Sequence, residues 1–312
     1  MLLRIASHLY WMGRYIERME NTARTVEALY LTSSIAKGSS SSDLEWENLL
    51  AMTGRRDDFL ARHGAISSTK LLRFILLDLE NPSSLLTSLR TARENGRAVC
   101  GTLSPEMWEM LNTLWLDLRE IDPAHLMIEG VGPLLDRVKE GAHLFRGTLE
   151  RTLPQDDTVR LIGLGTVIER ADHTARILIA RFPSLLKDTE REAHYDASLK
   201  VLRSVGAAAA YRKLYRDGIT PGQVVELLVL RNEIPASLHA CLDRVNDLLK
   251  PLSRGIGPEA VRLAADLHLL LHDDQIGVIL RHTLHEYLID FTQGLQALST
   301  EIDRALRTPI CA

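Results

Sequence analysis

The chain has 312 residues, with 37 lysines and arginines against 41 aspartates and glutamates, a formal net charge of −4, 46% hydrophobic and 25% charged residues. That length and composition allow a substantial core in one large domain or two ordinary ones. The balance lacks the basic surplus of a dedicated nucleic-acid binder, and local clusters such as Arg55-Arg56 lie close to acids.

In chain order, the segment from Met1 to Arg18 places Arg4, His8, Arg14, Glu17 and Arg18 in its first turns, which leaves no uninterrupted apolar signal region. Lys37-Gly38 followed by Ser39 to Ser42 reads as a flexible connection, with Asp43 as the N-cap of a helix through Trp46 and Leu50. Leu71, Leu72, Ile75, Leu76 and Leu79 then recur at helical spacing. Asn81-Pro82 is expected to start a helix, with asparagine as cap and proline at the first helical position. Ser104-Pro105-Glu106 repeats the device ahead of Trp108, Leu111, Leu114 and Trp115. Asp217-Gly218 with Thr220-Pro221 marks another stop and start. The stretch Val261, Ala264, Ala265, Leu267, Leu269 and Leu271 gives a further apolar face.

Period-two alternation is nearly absent. The fold class is therefore all-α, a helical bundle of roughly a dozen helices joined by short connections. No segment approaches the roughly 20 apolar residues of a membrane span. Cys100, Cys241 and Cys311 form no metal or redox spacing, and so sparse a set fits a reducing compartment. The expected location is the cytoplasm.

A repeat is the most informative feature. Residues 13–24 and 165–176 are identical at seven of twelve positions, among them Gly13/Gly165, Glu17/Glu169, Arg18/Arg170 and Arg24/Arg176, and Glu20/Asp172 keeps the carboxylate. Phe74 to Leu89, with Pro82, Ser84 and Leu85, lines up with Leu227 to Leu242, with Pro235, Ser237 and Leu238. The offsets of 152 and 153 residues imply two tandem related halves, 1–152 and 153–312, packed about a pseudo-twofold axis as one unit.

The repeated segment places Arg14, Glu17, Asn21 and Arg24 on one helix face with Glu20 alongside. Its second copy places Glu169, His173 and Arg176 together with Asp172 alongside. A helix apolar on one side and charged on the other is normally a surface helix. Three readings compete. In a structural network, Glu17 and Arg18 pair with Glu169 and Arg170 across the pseudo-twofold. In an anion or substrate pocket, Arg14, Arg18, Arg24, Arg170 and Arg176 grip carboxylate or phosphate, joined by the helix through Arg90, Arg93, Glu94 and Arg97. In a stand-alone enzyme, working by carboxylate acid-base chemistry or a bound metal, Glu17, Glu169 and His173 are the candidate catalytic groups. A di-metal site is disfavoured, because neither copy contains Glu-x-x-His and the adjacent arginines repel a dication. His268, His272, Asp273, Asp274, His282 and His285 read as a solvated face, and Trp11, Trp46, Trp108 and Trp115 as core or interface residues. There is no phosphate loop with Lys-Ser/Thr and no nucleophile elbow.

The run Leu9-Tyr10-Trp11-Met12-Gly13-Arg14-Tyr15-Ile16-Glu17-Arg18, continuing through Glu20-Asn21-Thr22-Ala23-Arg24, resembles the opening of the bacterial alpha-E family. Asn81-Pro82-Ser83-Ser84, Ala92-Arg93-Glu94-Asn95, Glu106-Met107-Trp108-Glu109 and Ile168-Glu169-Arg170-Ala171-Asp172 extend the likeness along the whole chain. Thr166, Ala236 and Cys100 depart from the family pattern. The resemblance implies a helical companion of a circularly permuted ATP-grasp carboxylate-amine ligase acting on peptide or amino-acid substrates, with a transglutaminase-like protein as a further associate. ATP and Mg would be held by the ligase, and no cofactor or metal by this chain. The candidate substrate-binding set is Arg14, Glu17, Arg18, Glu20, Asn21, Arg24, Arg93, Glu94, Asn95, Glu169, Arg170, Asp172, His173 and Arg176.

Overall fold

The computed structural model describes residues 3–33, 41–124, 126, 130–186, 191–216, 218–271 and 284–307. The first helices are α1 (Leu3–Ser33), α2 (Ser41–Thr53), α3 (Arg56–His63), α4 (Ser68–Leu76), α5 (Leu85–Ala98), α6 (Pro105–Arg119) and α7 (Gly132–Thr152). The next are α8 (Asp157–Leu186), α9 (Arg191–Ser204), α10 (Ala208–Leu214), α11 (Pro221–Leu230), α12 (Leu238–Ile256), α13 (Pro258–Leu271) and α14 (Leu284–Arg307). Among the described residues there is no strand, and no helix is long and apolar enough to cross a membrane. Lys37, Gly38, Ser39, Asp217, His272, Asp273, Asp274, His282 and Cys311 lie outside the described residues.

Helix α1 has 31 residues, a rod about 46 Å long at 1.5 Å per residue. Its buried Leu9, Met12, Ile16, Met19, Ala23 and Val26 alternate steps of three and four, the stripe that a helix lays against a core. A second stripe, Ala6, Tyr10, Gly13, Glu17 and Glu20, keeps the same rhythm and is also buried. The charged face is therefore not a surface face: α8, α7 and α9 cover it.

Two details of the chain order change. Helix α5 starts at Leu85, and Ser84 caps it by accepting from the Thr87 N–H. Asn81 instead braces the preceding turn, its Nδ2 donating to the Phe74 carbonyl at 2.9 Å and its Oδ1 accepting from the Ser83 N–H at 3.0 Å. An asparagine that bonds backbone two residues on makes a turn in place of a cap. In α12 the cap is Ser237, 153 residues later, accepting from the Ala240 N–H. Helix α2 begins at Ser41, ahead of Asp43. Ser104 and Thr220 cap α6 and α11 as expected, each followed by proline.

The packing comes in matched pairs. Helix α1 packs on α5 and α7 as α8 packs on α12 and α14, and α5–α6–α7 contact in the order of α12–α13–α14. Gly141 lies against Leu114 as Gly294 lies against Leu267, each 153 residues on. One hydrophobic core runs without interruption from Ala6 to Leu306. Helices α1 and α8 form its centre. They touch where Gly13 faces the Ile162 carbonyl and Gly165 faces the Tyr10 carbonyl, with no room for a β-carbon on either glycine.

Candidate functional site

One turn past that glycine contact, each helix presents a glutamate followed by an arginine, and the structure pairs them crosswise. Arg18 Nε donates to Glu169 Oε1 at 2.6 Å and its Nη2 to Oε2 at 2.9 Å. Arg170 Nε donates to Glu17 Oε1 at 2.7 Å and its Nη2 to Oε2 at 3.1 Å. Both pairs are bidentate, the geometry in which a guanidinium fork holds a carboxylate most firmly. Because the contact at the glycines sets the spacing of the two backbones, the pairs meet without long reaching.

Each glutamate has a second arginine, and the two come from different helices. Glu169 receives Arg14 of α1, whose Nε donates to Oε2 at 2.7 Å. Arg14 is held from behind by the Ser299 hydroxyl and by Tyr10, whose own hydroxyls lie 3.0 Å apart. Glu17 receives Arg146 of α7, whose Nη1 donates to Oε2 at 3.1 Å while Nη2 donates to Glu20. Arg146 and Ser299 are 153 residues apart, and Arg14 and Thr166 are 152 apart. The first half carries arginine on both its first and its last helix, Arg14 and Arg146, where the second half carries Thr166 and Ser299. Arg24 Nε donates to Glu20 Oε1 at 2.8 Å, and Arg176 Nε to Asp172 Oδ2 at 2.7 Å.

Burial would raise the Glu169 carboxyl, yet Arg18 and then Arg14 outweigh it and hold it at about 2. Glu20 is also lowered: burial opposes this, but Arg146 and Arg24 prevail. The guanidinium of Arg170 is raised, the pull of Glu17 exceeding the cost of burial. Burial lowers His173, so its imidazole is neutral at pH 7, with Nε2 3.3 Å from the Thr25 hydroxyl. Cys241 is buried beside Arg170 and its thiol is pushed up to about 12 by burial, so it is not a nucleophile at neutral pH.

Two cavities of about 230 Å³ each flank the crossing. The first is lined by Glu17, Glu20, Asn21, Arg24, Arg146 and Arg170, with Gly206 and Pro235 among the residues closing its far wall. The second is lined by Arg18, Thr22, Glu169, Asp172 and Arg176, and His173 borders both. The first holds three guanidiniums against two carboxylates. It also holds Asn21, 7% exposed, whose side-chain nitrogen is buried and has no hydrogen-bond partner. An orphaned buried donor costs about 1–3 kcal/mol, and its presence in a native site calls for an explanation.

Of the residues singled out in the sequence, Arg14, Glu17, Arg18, Glu20, Asn21, Arg24, Glu169, Arg170, Asp172, His173 and Arg176 meet around this crossing. Arg93, Glu94 and Asn95 line neither cavity. Arg93 donates to Asn112 at 2.8 Å and lies over the Trp108 ring, while Asn95 Oδ1 accepts from His8 Nδ1 at 2.8 Å. The α5 helix thus carries that motif on a different face from the crossing. Arg146, His143, Ser299 and Tyr10 complete the centre, and no local pattern marked the first three.

A family model described as a predicted alpha-helical domain with a conserved ER motif matches residues 1–305. An uncharacterized protein of Mycobacterium bovis and one of Mycobacterium tuberculosis are each 24% identical over 317 residues, covering 94% of this chain and 35% of theirs. The chain therefore spans about a third of the length of these relatives. No solved structure matches it.

Proposed function

The chain belongs to that family, Alpha-E, and from this premise we propose that it is the helical partner of a circularly permuted ATP-grasp carboxylate-amine ligase. In this reading the first cavity takes an anionic end of a peptide or amino-acid substrate, and the ligase holds ATP and Mg. A transglutaminase-like protein is a further associate, and the cytoplasm the site of action. We read the two halves, 1–152 and 153–312, as copies related by a pseudo-twofold axis through the glycine crossing.

The observation that carries the binding role is Asn21: a buried, unpartnered amide donor on a residue bordering a cavity where guanidiniums outnumber carboxylates. A carboxylate entering there gains a charge-assisted bond from the amide and a share of the arginines. At about 230 Å³ the cavity is below the roughly 300–1,000 Å³ of whole-ligand sites, which suits one end of a substrate. Arginine-saturated carboxylates are poor general bases, so the chain's contribution is to bind and position rather than to abstract protons.

The Glu169 side supports a structural reading of its own. Both oxygens of Glu169 are satisfied by Arg14 and Arg18, and this half of the network holds the helices in register.

The test separates the two. Asn21→Leu removes the orphan donor and leaves every arginine pair in place, so its melting temperature is expected to equal or exceed wild type. Its support of ligase turnover, in a mixture with the ATP-grasp protein, is expected to fall by about tenfold, the equivalent of 1.4 kcal/mol of lost binding. Full turnover with Asn21→Leu overturns the binding role. Failure of the chain to co-purify with the ATP-grasp protein overturns the partnership.

A further inference from the structure

Away from the crossing, on the outer side of the second half, α12 presents His239 and Asp243 four residues apart, on one helix face. Helix α13 packs against α12 and brings in His268. His268 Nε2 lies 2.6 Å from Asp243 Oδ1, and His239 Nδ1 lies 3.5 Å from Asp243 Oδ2. The two imidazoles stack with centroids 5.4 Å apart at 28°. One donor atom from each residue lies within 4.8 Å of the other two.

We propose that His239, Asp243 and His268 form a binding site for a divalent transition-metal ion of the zinc class. Two imidazole nitrogens and one carboxylate oxygen are a ligand set for borderline cations, and histidine favours zinc over magnesium or calcium. Around tetrahedral zinc, bonds of about 2.0–2.1 Å place neighbouring ligand atoms about 3.4 Å apart. His239 stands from Oδ2 at about that separation, and the His268–Oδ1 contact has to open by roughly 0.8 Å as the carboxylate turns to give the ion a single oxygen. The Asp243 side chain is 42% exposed, so the fourth position opens to solvent and takes water.

Two observations set this apart from an ordinary ion pair. An ion pair needs one imidazole, whereas here two address the two oxygens of a single carboxylate. The equivalent positions of the first half, 153 residues earlier, are Leu86, Arg90 and Trp115. Leu86 is buried in the core and Trp115 packs against it, so α5 and α6 hold together with no ligand among the three. The same helix pair in the second half does not require the triad to pack. The ion would clip α12 to α13 and present a metal-bound water at the surface.

The measurement is zinc titration of the chelator-stripped full chain by calorimetry, with cobalt(II) absorption to report geometry. Expected is an equivalent of zinc bound with Kd below about 100 µM, together with the intense visible bands of four-coordinate cobalt. His268→Ala and Asp243→Asn are expected to lose that equivalent, weakening it at least about tenfold. His239→Leu copies Leu86 and so keeps the packing; it is expected to melt like wild type in chelator and to lose zinc's stabilisation. The proposal is overturned if wild type takes up no zinc in that range. It is equally overturned if His239→Leu, folded as judged by its melting, binds zinc as wild type does, which would place the ion on other histidines.

Discussion

Glu169 sits between Arg14 and Arg18 and is held at about 2, well below an ordinary glutamate at about 4.3. The folded state therefore keeps a proton off this group where the unfolded chain takes one up. Its stabilisation is complete above about pH 5 and drains away as pH falls toward 2, with Glu20 acting in the same direction. Glu169→Gln keeps the shape but leaves two guanidiniums, one of them almost wholly buried, without a counter-charge. The expected cost at pH 7 is about 3–5 kcal/mol. Acid titration of the variant by circular dichroism should show a shallower loss of stability between pH 5 and 2 than wild type. An unchanged slope would mean that the acid sensitivity resides elsewhere. Glu17, Arg18, Glu169 and Arg170 were legible in the sequence because the motif is local and occurs twice. Arg146 and Ser299 were not, since each is one residue on a distant helix and only the folded packing brings it to the carboxylates.

At the scale of elements, α1 and α8 can approach closely because Gly13 and Gly165 sit at their contact. A methyl group on Gly13 would collide with the Ile162 carbonyl, and backbone cannot turn aside as a side chain can. Gly13→Ala is expected to destabilise by about 3 kcal/mol, at the upper end of overpacking penalties, because the helices must separate and stretch the arginine pairs beyond them. Thermal melting checks this; a loss below about 1 kcal/mol would show that the crossing has slack. Gly147→Ala, where a β-carbon meets nothing, is the control. Helix content was legible from three-and-four spacing, and serine-proline starts from cap chemistry. The start of α5 is not legible locally, because Asn81 and Ser84 are both good caps and the choice between them depends on a bond from Asn81 to Phe74, seven residues back. The burial of the charged face was also hidden, since periodicity shows which residues share a side but not what covers it.

For the whole molecule, the single core and the crosswise pairs make the halves mutually dependent. A fragment ending after Thr152 would expose Gly13, Glu17 and the α1 stripe that α8 covers. Residues 1–152 and 153–312 expressed separately are expected to be poorly folded, and co-expressed they are expected to reassociate. Gel filtration with circular dichroism reads the outcome, and a well-folded monomeric fragment would show two autonomous domains. The placement of both second arginines in the first half carries a consequence for such fragments. Two first halves meeting each other would bring Arg14, Arg18 and Arg146 to every carboxylate, and two second halves would bring Arg170 alone. Like paired with like is therefore overcharged in one case and starved in the other. Only the unlike union balances, so residues 1–152 and 153–312 behave as an obligate couple, neither member able to stand in for the other.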